Sequence, residues 1–299
     1  MLPRTVVAAV LWICLPGWTA QATAAELDSG ARVHIVHGDL ARGGHVMVNI
    51  RRFTGIPFAN LGELVTTGTL PAAVAEFLAA CVRARCSIIF AGAPGAGKTT
   101  LLSCSAAELD PALRVVIAEE VFEADVPLAN VASLQTRAAR ADRPPIDLRR
   151  LVAGFLRMAP DVAIVGEVRD REALPLLLTL SSGVQGFTTI HAGSARQALT
   201  RLRFICQLSD AASELPMSAL NSLVSESIDL VVHSVRTAHG PRVASIVAVE
   251  DLAGPGDATQ FTVTEVFGRS PGGALHPTGH LPLRAGRALA DAGTDVRAL

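Results

Sequence analysis

The stretch GAPGAGKTT, residues 92–100, has the residue types and spacing of a loop that binds phosphate. The glycines at its first and sixth positions allow the backbone to curl so that its N–H groups point at an anion. Lys98 would reach the β- and γ-phosphates of a nucleotide, and the hydroxyl of Thr99 is suited to Mg²⁺. The residues predicted to bind the nucleotide are Gly92, Ala93, Pro94, Gly95, Ala96, Gly97, Lys98, Thr99 and Thr100.

The loop stands between an apolar run, SIIFAG, and a helical pattern, KTTLLSCSAAEL. A strand before the loop and a helix after it distinguish a phosphate-binding loop from a glycine-rich turn with a chance lysine. The N-terminus of the predicted helix adds partial positive charge where the phosphates would lie. The pattern and its context together predict a nucleotide-binding protein.

Polar side chains follow three later apolar runs. Glu119 and Glu120 end RVVIAEE. Glu167 follows the run in DVAIVGEV, and His191 follows the run in GFTTIHA. Ligands bind at the carboxyl ends of the strands in an open parallel sheet, so we expect these side chains beside the phosphate loop. We predict that Glu167 helps to hold Mg²⁺ and that a glutamate on the neighbouring strand polarises the attacking water. His191 would sense the γ-phosphate through a hydrogen bond, although a histidine taken alone is more often structural.

The alternation of strand and helix continues through the central part of the chain. Helical patterns occur in DLRRLVAGFLRM, DREALPLLLTLSSG and SARQALTRLRFI. Pro160 ends the first of these, Pro175 is expected to kink the second, and Ser194 is placed to cap the third. SIDLVVHSV and RVASIVAVE are predicted to form an antiparallel pair joined by a turn at AHGP. Because each strand is a nearly continuous apolar run, we predict an α/β fold with a mostly parallel sheet covered on both faces.

The composition limits the classes of partner. The chain has 299 residues, of which 50% are hydrophobic, and a formal net charge of -1. It therefore lacks the basic footprint of a nucleic-acid-binding protein, and no nucleic acid is expected as a partner. The cysteines show no CxxC spacing, so no zinc is expected, and buried thiols in a reducing compartment are predicted. They are Cys14, Cys81, Cys86, Cys104 and Cys206.

The first 25 residues have the pattern of a secretory signal or a membrane anchor. Arg4 is followed by an apolar run and then by small residues. The run is short and is interrupted by Pro16 and Gly17, which argues against a spanning helix. A secreted enzyme would have no ATP to use, so we interpret this segment as an atypical start of a cytoplasmic protein.

The four motifs, in this order, resemble those of the secretion-system ATPases that serve type II secretion, type IV pili and type IV conjugation. They most closely resemble the CpaF-like branch, which powers tight-adherence (Flp) pili. GAPGAGKTTLL resembles the Walker A motif, VVIAEEVFE the aspartate box, LRMAPDVAIVGEVRDREAL the Walker B motif and GFTTIHAGSARQAL the histidine box. The resemblance covers residues 31–250 and implies a RecA-like P-loop NTPase core, preceded by a small, truncated α+β N-terminal domain.

On this basis the chain divides into four regions. An apolar N-terminal segment occupies residues 1–25, and a remnant of the N-terminal domain with its linker occupies 26–66. Alternating residues between 31 and 53 predict two or three strands in that remnant. A RecA-like ATPase domain follows at 67–250. A partly disordered C-terminal tail, with one strand-like run at QFTVTEVF, completes the chain at 251–299.

The resemblance also implies an activity and an assembly. It implies an ATPase that binds ATP and Mg²⁺, forms a homo-oligomeric ring, expected to be a hexamer, and docks from the cytoplasm on an inner-membrane platform protein of a pilus or secretion system. Glu119 would position the lytic water, with Glu120 as its close alternative, and Glu167 would support Mg²⁺ beside Thr99. His191 would couple the nucleotide state to conformation. The candidate nucleotide-sensing arginines are Arg51, Arg52, Arg137 and Arg169.

Two departures from the family pattern leave alternatives open. The N-terminal region corresponds only to the last strands of the family's domain, and the loop after Arg137, AARADRPPID, lacks the family's glycines. The chain is therefore either a working motor or a truncated nucleotide-binding copy that cannot assemble an active hexamer. A switch GTPase or a small-molecule kinase is disfavoured because neither an Asn-Lys-x-Asp motif nor a lid pattern occurs. Low net charge disfavours DNA translocation.

Overall fold

The computed structural model describes residues 23–26, 31–52, 55–139, 142–208, 215–252, 260–269, 273–295 and 297. The chain forms two compact units that divide after Gly55. Within these described ranges, no helix combines the length and the apolar character needed to cross a membrane. Apart from the strand that begins at Thr23, the apolar segment predicted at 1–25 lies outside the described residues.

The first unit contains an antiparallel sheet of three described strands. In sheet order they are β1 (Thr23–Glu26), β2 (Arg32–Val36) and β3 (Met47–Arg51). Side chains alternate along β2, so that Val33 and Ile35 are buried while His34 is exposed. The strands predicted between residues 31 and 53 are therefore confirmed.

The second unit is built on a single sheet of nine described strands. They are β4 (Ile88–Gly92), β5 (Val115–Glu119), β6 (Val131–Gln135), β7 (Val162–Val165), β8 (Gln185–Ile190), β9 (Leu230–Thr237), β10 (Gly240–Val249), β11 (Val263–Arg269) and β12 (Leu275–Pro277). Their order is β12-β11-β10-β9-β4-β8-β7-β5-β6. The strands from β9 to β6 pair in parallel, whereas β10, β11 and β12 pair antiparallel. The predicted α/β fold with a mostly parallel sheet is confirmed, as is the β9–β10 hairpin.

Helices accompany this sheet along its whole length. Those described are α1 (Leu61–Thr66), α2 (Ala72–Arg83), α3 (Lys98–Ala106), α4 (Leu148–Val152), α5 (Ala173–Leu180), α6 (Ala195–Gln207), α7 (Met217–Ser227) and α8 (Leu283–Asp291). Side-chain caps begin three of them, because the first N–H groups of a helix have no partner within the helix. Asn60 accepts a hydrogen bond from the Glu63 N–H, Asp147 from the Arg150 N–H, and Ser194, as predicted, from the Gln197 N–H.

Both faces of the sheet are covered by apolar clusters. Strand β4 shows this directly, because Ile88 and Phe90 pack into one cluster while Ile89 and Ala91 pack into the other. Helices α1, α2, α3 and α8 contribute to the first cluster, and helices α4 to α7 contribute to the second. This two-sided burial is why the strands of the second unit read as continuous apolar runs.

Two predicted helices differ in the structure. The helix predicted over DLRRLVAGFLRM ends at Val152, and a 3-10 turn at Phe155–Met158 follows. Gly154 accounts for the break, because glycine inside a helix costs about 1 kcal/mol relative to alanine. Pro175 lies in the first turn of α5, where its missing N–H has no helical partner to lose, so the expected kink is replaced by a single helix at Ala173–Leu180.

The C-terminal region contains regular structure beyond residue 250. Among its described residues, β11 overlaps the predicted strand-like run QFTVTEVF, whereas β12 and α8 were not predicted, and all three belong to the second unit. The partial disorder of this region stays a prediction. Phe267 on β11 is buried, and its ring lies 5.4 Å from the ring of Phe77 on α2. The carboxylate of Glu250 accepts hydrogen bonds from the N–H groups of Leu283 and Arg284 at the start of α8.

Two elements earlier in the chain, strand β6 and helix α7, were also not predicted.

The boundary of the first unit also differs from the predicted one. The division falls after Gly55 rather than at residue 66, because Leu61 and Leu64 on α1 are buried in the core of the second unit. The segment predicted as a linker therefore includes a helix of the second unit.

We expect Phe267→Ala to lower the free energy of unfolding by about 3–5 kcal/mol, because it leaves a cavity beside Phe77. Leu283→Ala is the matched control, since Leu283 lies in the same region but is 70% exposed. Urea denaturation followed by circular dichroism measures both. A loss below about 1 kcal/mol for Phe267→Ala would contradict the packing of this region into the core.

Candidate nucleotide-binding site

The phosphate loop connects the end of β4 at Gly92 to the start of α3 at Lys98. Gly95 and Gly97 have φ values of 74° and 82°, in the left-handed region that glycine adopts at little cost. Gly97 is the N-cap residue of α3, so the free N–H groups of the first helical turn face the loop. Such an arrangement binds anions through backbone donors and the helix dipole.

The β9–β10 hairpin packs against this loop and explains two of its glycines. A methyl group on Gly92 would lie 2.4 Å from the carbonyl oxygen of Ser234 on β9. A methyl group on Gly97 would lie 3.0 Å from the Cβ atom of Pro241 on β10. The loop therefore needs glycine both for its backbone conformation and for the close approach of its neighbour.

Lys98 points into the loop and is only 7% exposed. Its Nζ atom donates a hydrogen bond to the carbonyl oxygen of Ala93, at 3.1 Å, and lies 3.3 Å from Nδ1 of His191. The same ring nitrogen lies 3.3 Å from the carbonyl oxygen of Gly92. The histidine predicted at the end of the fourth strand of the domain thus contacts the predicted phosphate-binding lysine.

A continuous series of polar contacts extends from this pair. Nε2 of His191 lies 2.8 Å from Oε1 of Glu167. Oε2 of Glu167 accepts a hydrogen bond of 2.7 Å from Arg169, which also donates one of 3.0 Å to Glu120. We call these five residues, Lys98, His191, Glu167, Arg169 and Glu120, the polar chain. It joins groups from the ends of four strands at one edge of the sheet.

The turn after β7 holds Glu167 and Arg169 in place. The carboxylate of the buried Glu172 accepts hydrogen bonds from the backbone N–H groups of Arg169, at 2.5 Å, and Asp170, at 2.8 Å. The hydroxyl of Thr189 on β8 donates to the carbonyl oxygen of Gly166 at 2.8 Å. These bonds fix the turn, so the two side chains leave it in defined directions.

The adjacent glutamates Glu119 and Glu120 lie in different environments. Glu119 is 3% exposed, and its Oε1 atom accepts hydrogen bonds from the N–H groups of Glu123, at 3.2 Å, and Ala124, at 3.0 Å. A methyl group on Gly166, the residue before Glu167, would lie 2.7 Å from its Cγ atom. The Glu120 side chain is 51% exposed and belongs to the polar chain. Backbone hydrogen bonds thus hold Glu119 in place next to the polar chain, whereas Glu120 is the last member of the polar chain.

The electrostatics of the polar chain keep Glu167 ionised and His191 neutral. Burial raises the pKa of Glu167, but the hydrogen bond and charge of Arg169, with smaller contributions from His191 and Lys98, outweigh it and leave that pKa lowered. Burial lowers the pKa of His191, and Lys98 and Arg169 lower it further, although Glu167 and the Gly92 carbonyl raise it. The net shift is downward, so the imidazole is neutral at pH 7 and its nitrogens act as one donor and one acceptor.

The sequence profile of the type II/IV secretion system protein family matches residues 39–250. The chain belongs to this family. It is 32% identical over 255 residues to the conjugal transfer protein TrbB of Rhizobium radiobacter, a match that covers 78% of this chain and 73% of the relative. It is 36% identical over 160 residues to the type IV secretion system protein PtlH of Bordetella pertussis, covering 52% of this chain and 47% of the relative.

Solved structures of secretion ATPases have the same fold. The VirB11 ATPase of the Brucella suis type IV secretion system superposes with a TM-score of 0.52 at 23% identity, covering 75% of each chain. The ATPase DotB of Yersinia pseudotuberculosis gives 0.52 at 18% identity, covering 81% of this chain and 64% of that chain. At these identities the similarity establishes the fold alone. Assignment to the tight-adherence branch of the family stays a prediction.

The remaining candidate residues are distributed differently. Arg137 does not enter the polar chain; its guanidinium donates to the carbonyl oxygen of Pro144 at 3.0 Å and its backbone pairs with Ile146, which closes the loop after β6. Arg51 and Arg52 are exposed residues of the first unit, and their role in this family member stays a prediction. Thr99 and Thr100 lie half-buried in the first turn of α3.

Sequence reasoning missed the residues of the β9–β10 hairpin that approach the phosphate loop. Ser234 and Pro241 contact its glycines, and Arg236 lies beside Gly95. The pattern SIDLVVHSV predicts a strand but does not indicate that this strand pairs with β4. That pairing alone brings the hairpin to the loop.

We expect Glu167→Gln to lower the pKa of His191 further, because it removes the negative charge that raises this pKa against the effect of burial. The titration of the imidazole, followed by NMR, measures the change. His233 serves as the internal control, since burial alone lowers its pKa. An upward shift for His191, or an equal shift for both histidines, would show that the 2.8 Å contact does not govern this pKa.

Proposed function

We propose that this chain is a Mg²⁺-dependent ATPase that powers a bacterial secretion, conjugation or pilus-assembly machine. Family membership supports this class of machine. The observation that carries the proposal is the polar chain, because it links the phosphate-loop lysine to carboxylates and an arginine from separate strands. A protein that only bound nucleotide would need the loop but not this arrangement.

The residues present fit ATP and Mg²⁺. The backbone N–H groups of the loop, which Gly95 and Gly97 shape through their positive φ values, and the ammonium of Lys98 would hold the phosphates. The hydroxyl of Thr99 and the ionised carboxylate of Glu167 are oxygen donors of the kind that Mg²⁺ prefers. When bound, the ion would neutralise charge that develops on the phosphates.

Glu119 is the residue proposed to position the attacking water. A positioning group needs a fixed place, and the hydrogen bonds from Glu123 and Ala124 provide it at the carboxyl end of β5. Glu120 instead pairs with Arg169, so we infer that it acts on the arginine rather than on water. Glu120 remains the alternative if the loop at 120–124 rearranges on nucleotide binding.

His191 would couple the nucleotide to the rest of the protein. Its neutral ring contacts Lys98 through Nδ1 and Glu167 through Nε2. A ligand that draws Lys98 toward its phosphates would change the contact between Lys98 and His191. The contact between His191 and Glu167 would then transmit this change to Glu167 and Arg169. A nucleotide shifts a conformational equilibrium only if it interacts differently with the two conformations, and a change in these contacts would provide that difference.

Assembly into a hexameric ring, docking on an inner-membrane platform protein and a cytoplasmic location are proposed by family resemblance. Membership of the tight-adherence branch is proposed on the same ground. The competing possibility is a nucleotide-binding copy that cannot assemble. Size-exclusion chromatography with light scattering, with and without ATP, tests this: a six-fold increase in mass supports the ring, and an ATP-bound monomer supports the competing possibility.

We expect Lys98→Ala to reduce ATP turnover by about 100-fold or more, because it removes the cation that contacts the terminal phosphates. Arg83→Ala is the control, since its ion pair with Glu108 is a surface contact. Phosphate release measures both. If turnover survives Lys98→Ala unaltered, the assignment of the phosphate loop is wrong.

We expect Glu119→Gln to abolish turnover while nucleotide binding persists, because the amide cannot polarise water but preserves the shape of the side chain. Glu120→Gln should lower turnover by about 5-fold or less, since it weakens only an exposed ion pair with Arg169. Single-turnover hydrolysis and equilibrium binding of a fluorescent ATP analogue separate the two effects. The reverse ranking would assign the water to Glu120.

A further inference from the structure

We propose that Arg236, on the β9–β10 hairpin, is a second cation of the phosphate site and binds the phosphate chain of the nucleotide alongside Lys98. The inference rests on the proposed function, because it assigns a further ligand to the same nucleotide. Neither the phosphate-loop pattern nor the polar chain includes this residue.

The position of Arg236 follows from the sheet. Strand β9 pairs in parallel with β4, so Ser234 lies opposite Gly92 at the point where the phosphate loop begins. Two residues later, Arg236 lies next to the middle of the loop. A methyl group on Gly95 would lie 3.1 Å from Nη1 of Arg236, 3.7 Å from its Cδ and 3.9 Å from its Cζ. The nearest of these atoms is a guanidinium nitrogen, and the end of the aliphatic stem lies beside the loop as well.

The charge of Arg236 is available to a ligand. Its side chain is exposed, and within the described residues no carboxylate lies at ion-pair distance from it. Arg169, by contrast, is held by two glutamates. A guanidinium that lies against a phosphate-binding backbone without a protein counter-ion is suited to a phosphate, which it binds through two parallel hydrogen bonds.

The hairpin gives this cation a defined place. Pro241 packs on Gly97, and the hydroxyl of Thr237 donates to the carbonyl oxygen of Gly240 at 2.8 Å across the turn. Two contacts therefore hold the tip of the hairpin. Pro241 contacts the phosphate loop, and Thr237 bonds to Gly240 across the turn. Because the backbone on either side of Arg236 is fixed in this way, less conformational entropy is lost when its side chain contacts a ligand.

The test is the affinity of the full chain for ADP, ATP and adenosine, measured by calorimetry for the wild type and four variants. Arg236→Gln removes the charge, and Arg236→Lys keeps it. Arg201→Gln is the charge-matched control on the exposed face of α6, and His239→Ala is the control for the hairpin turn.

We expect Arg236→Gln to weaken ATP and ADP binding by about 10- to 150-fold, the range for one charge-assisted hydrogen-bonded contact, and to leave adenosine binding unchanged. Arg236→Lys should restore part of the affinity, and both controls should bind as the wild type does. The affinity of the wild type should also fall more steeply with added KCl than that of Arg236→Gln.

Two results would overturn the inference. One is equal ADP affinity for Arg236→Gln and the wild type. The other is an equal loss for adenosine, which would indicate a packing role. Failure of the wild type itself to bind ATP would instead refute the proposed function, so the two failures are distinguishable.

Discussion

The parallel pairing of β4 with β8 on one side and β9 on the other is the constraint on which the site depends. It sets the carboxyl ends of three strands at one level, where the chain of β4 turns into the phosphate loop. From β8 this pairing delivers His191 to Lys98, and from β9 it delivers Ser234 and Arg236 to the glycines of the loop. A shift of one residue in either register would point these side chains to the opposite face of the sheet.

Charge balance explains why the polar chain can exist in a partly buried site. Arg169 lies between the carboxylates of Glu167 and Glu120, and the neutral ring of His191 lies between Glu167 and Lys98, so the two positive charges of the polar chain balance its two negative charges. The neutral imidazole matters because a protonated ring in direct contact with Lys98 would repel it, whereas a neutral ring contacts lysine and carboxylate at once. A bound polyphosphate would add negative charge next to Lys98, at one end of the polar chain. The contacts between the successive members of the polar chain would then change in turn.

The antiparallel extension of the sheet has a function beyond stability. Strands β10, β11 and β12 bury the edge of β9 and hold its hairpin against the loop. Two contacts hold the extension in place. The ring of Phe267 packs against that of Phe77, and the carboxylate of Glu250 accepts hydrogen bonds from the first N–H groups of α8. Packing of Phe267 and α8 thereby supports a loop that lies about 170 to 190 residues earlier in the sequence, which is why these described elements belong to the second unit.

The sequence by itself determined the local chemistry and the class of fold. The loop GAPGAGKTT, the apolar runs and the polar residues that end them are local patterns, and strand and helix periodicity follows from them. Only the tertiary structure decided that Glu119 is buried while Glu120 is exposed, that Arg137 closes its own loop, and that Arg236 approaches Gly95. The order of the parallel strands decides these outcomes, because it brings together residues far apart in sequence, and local patterns predicted the β9–β10 hairpin but not which parallel strands are neighbours.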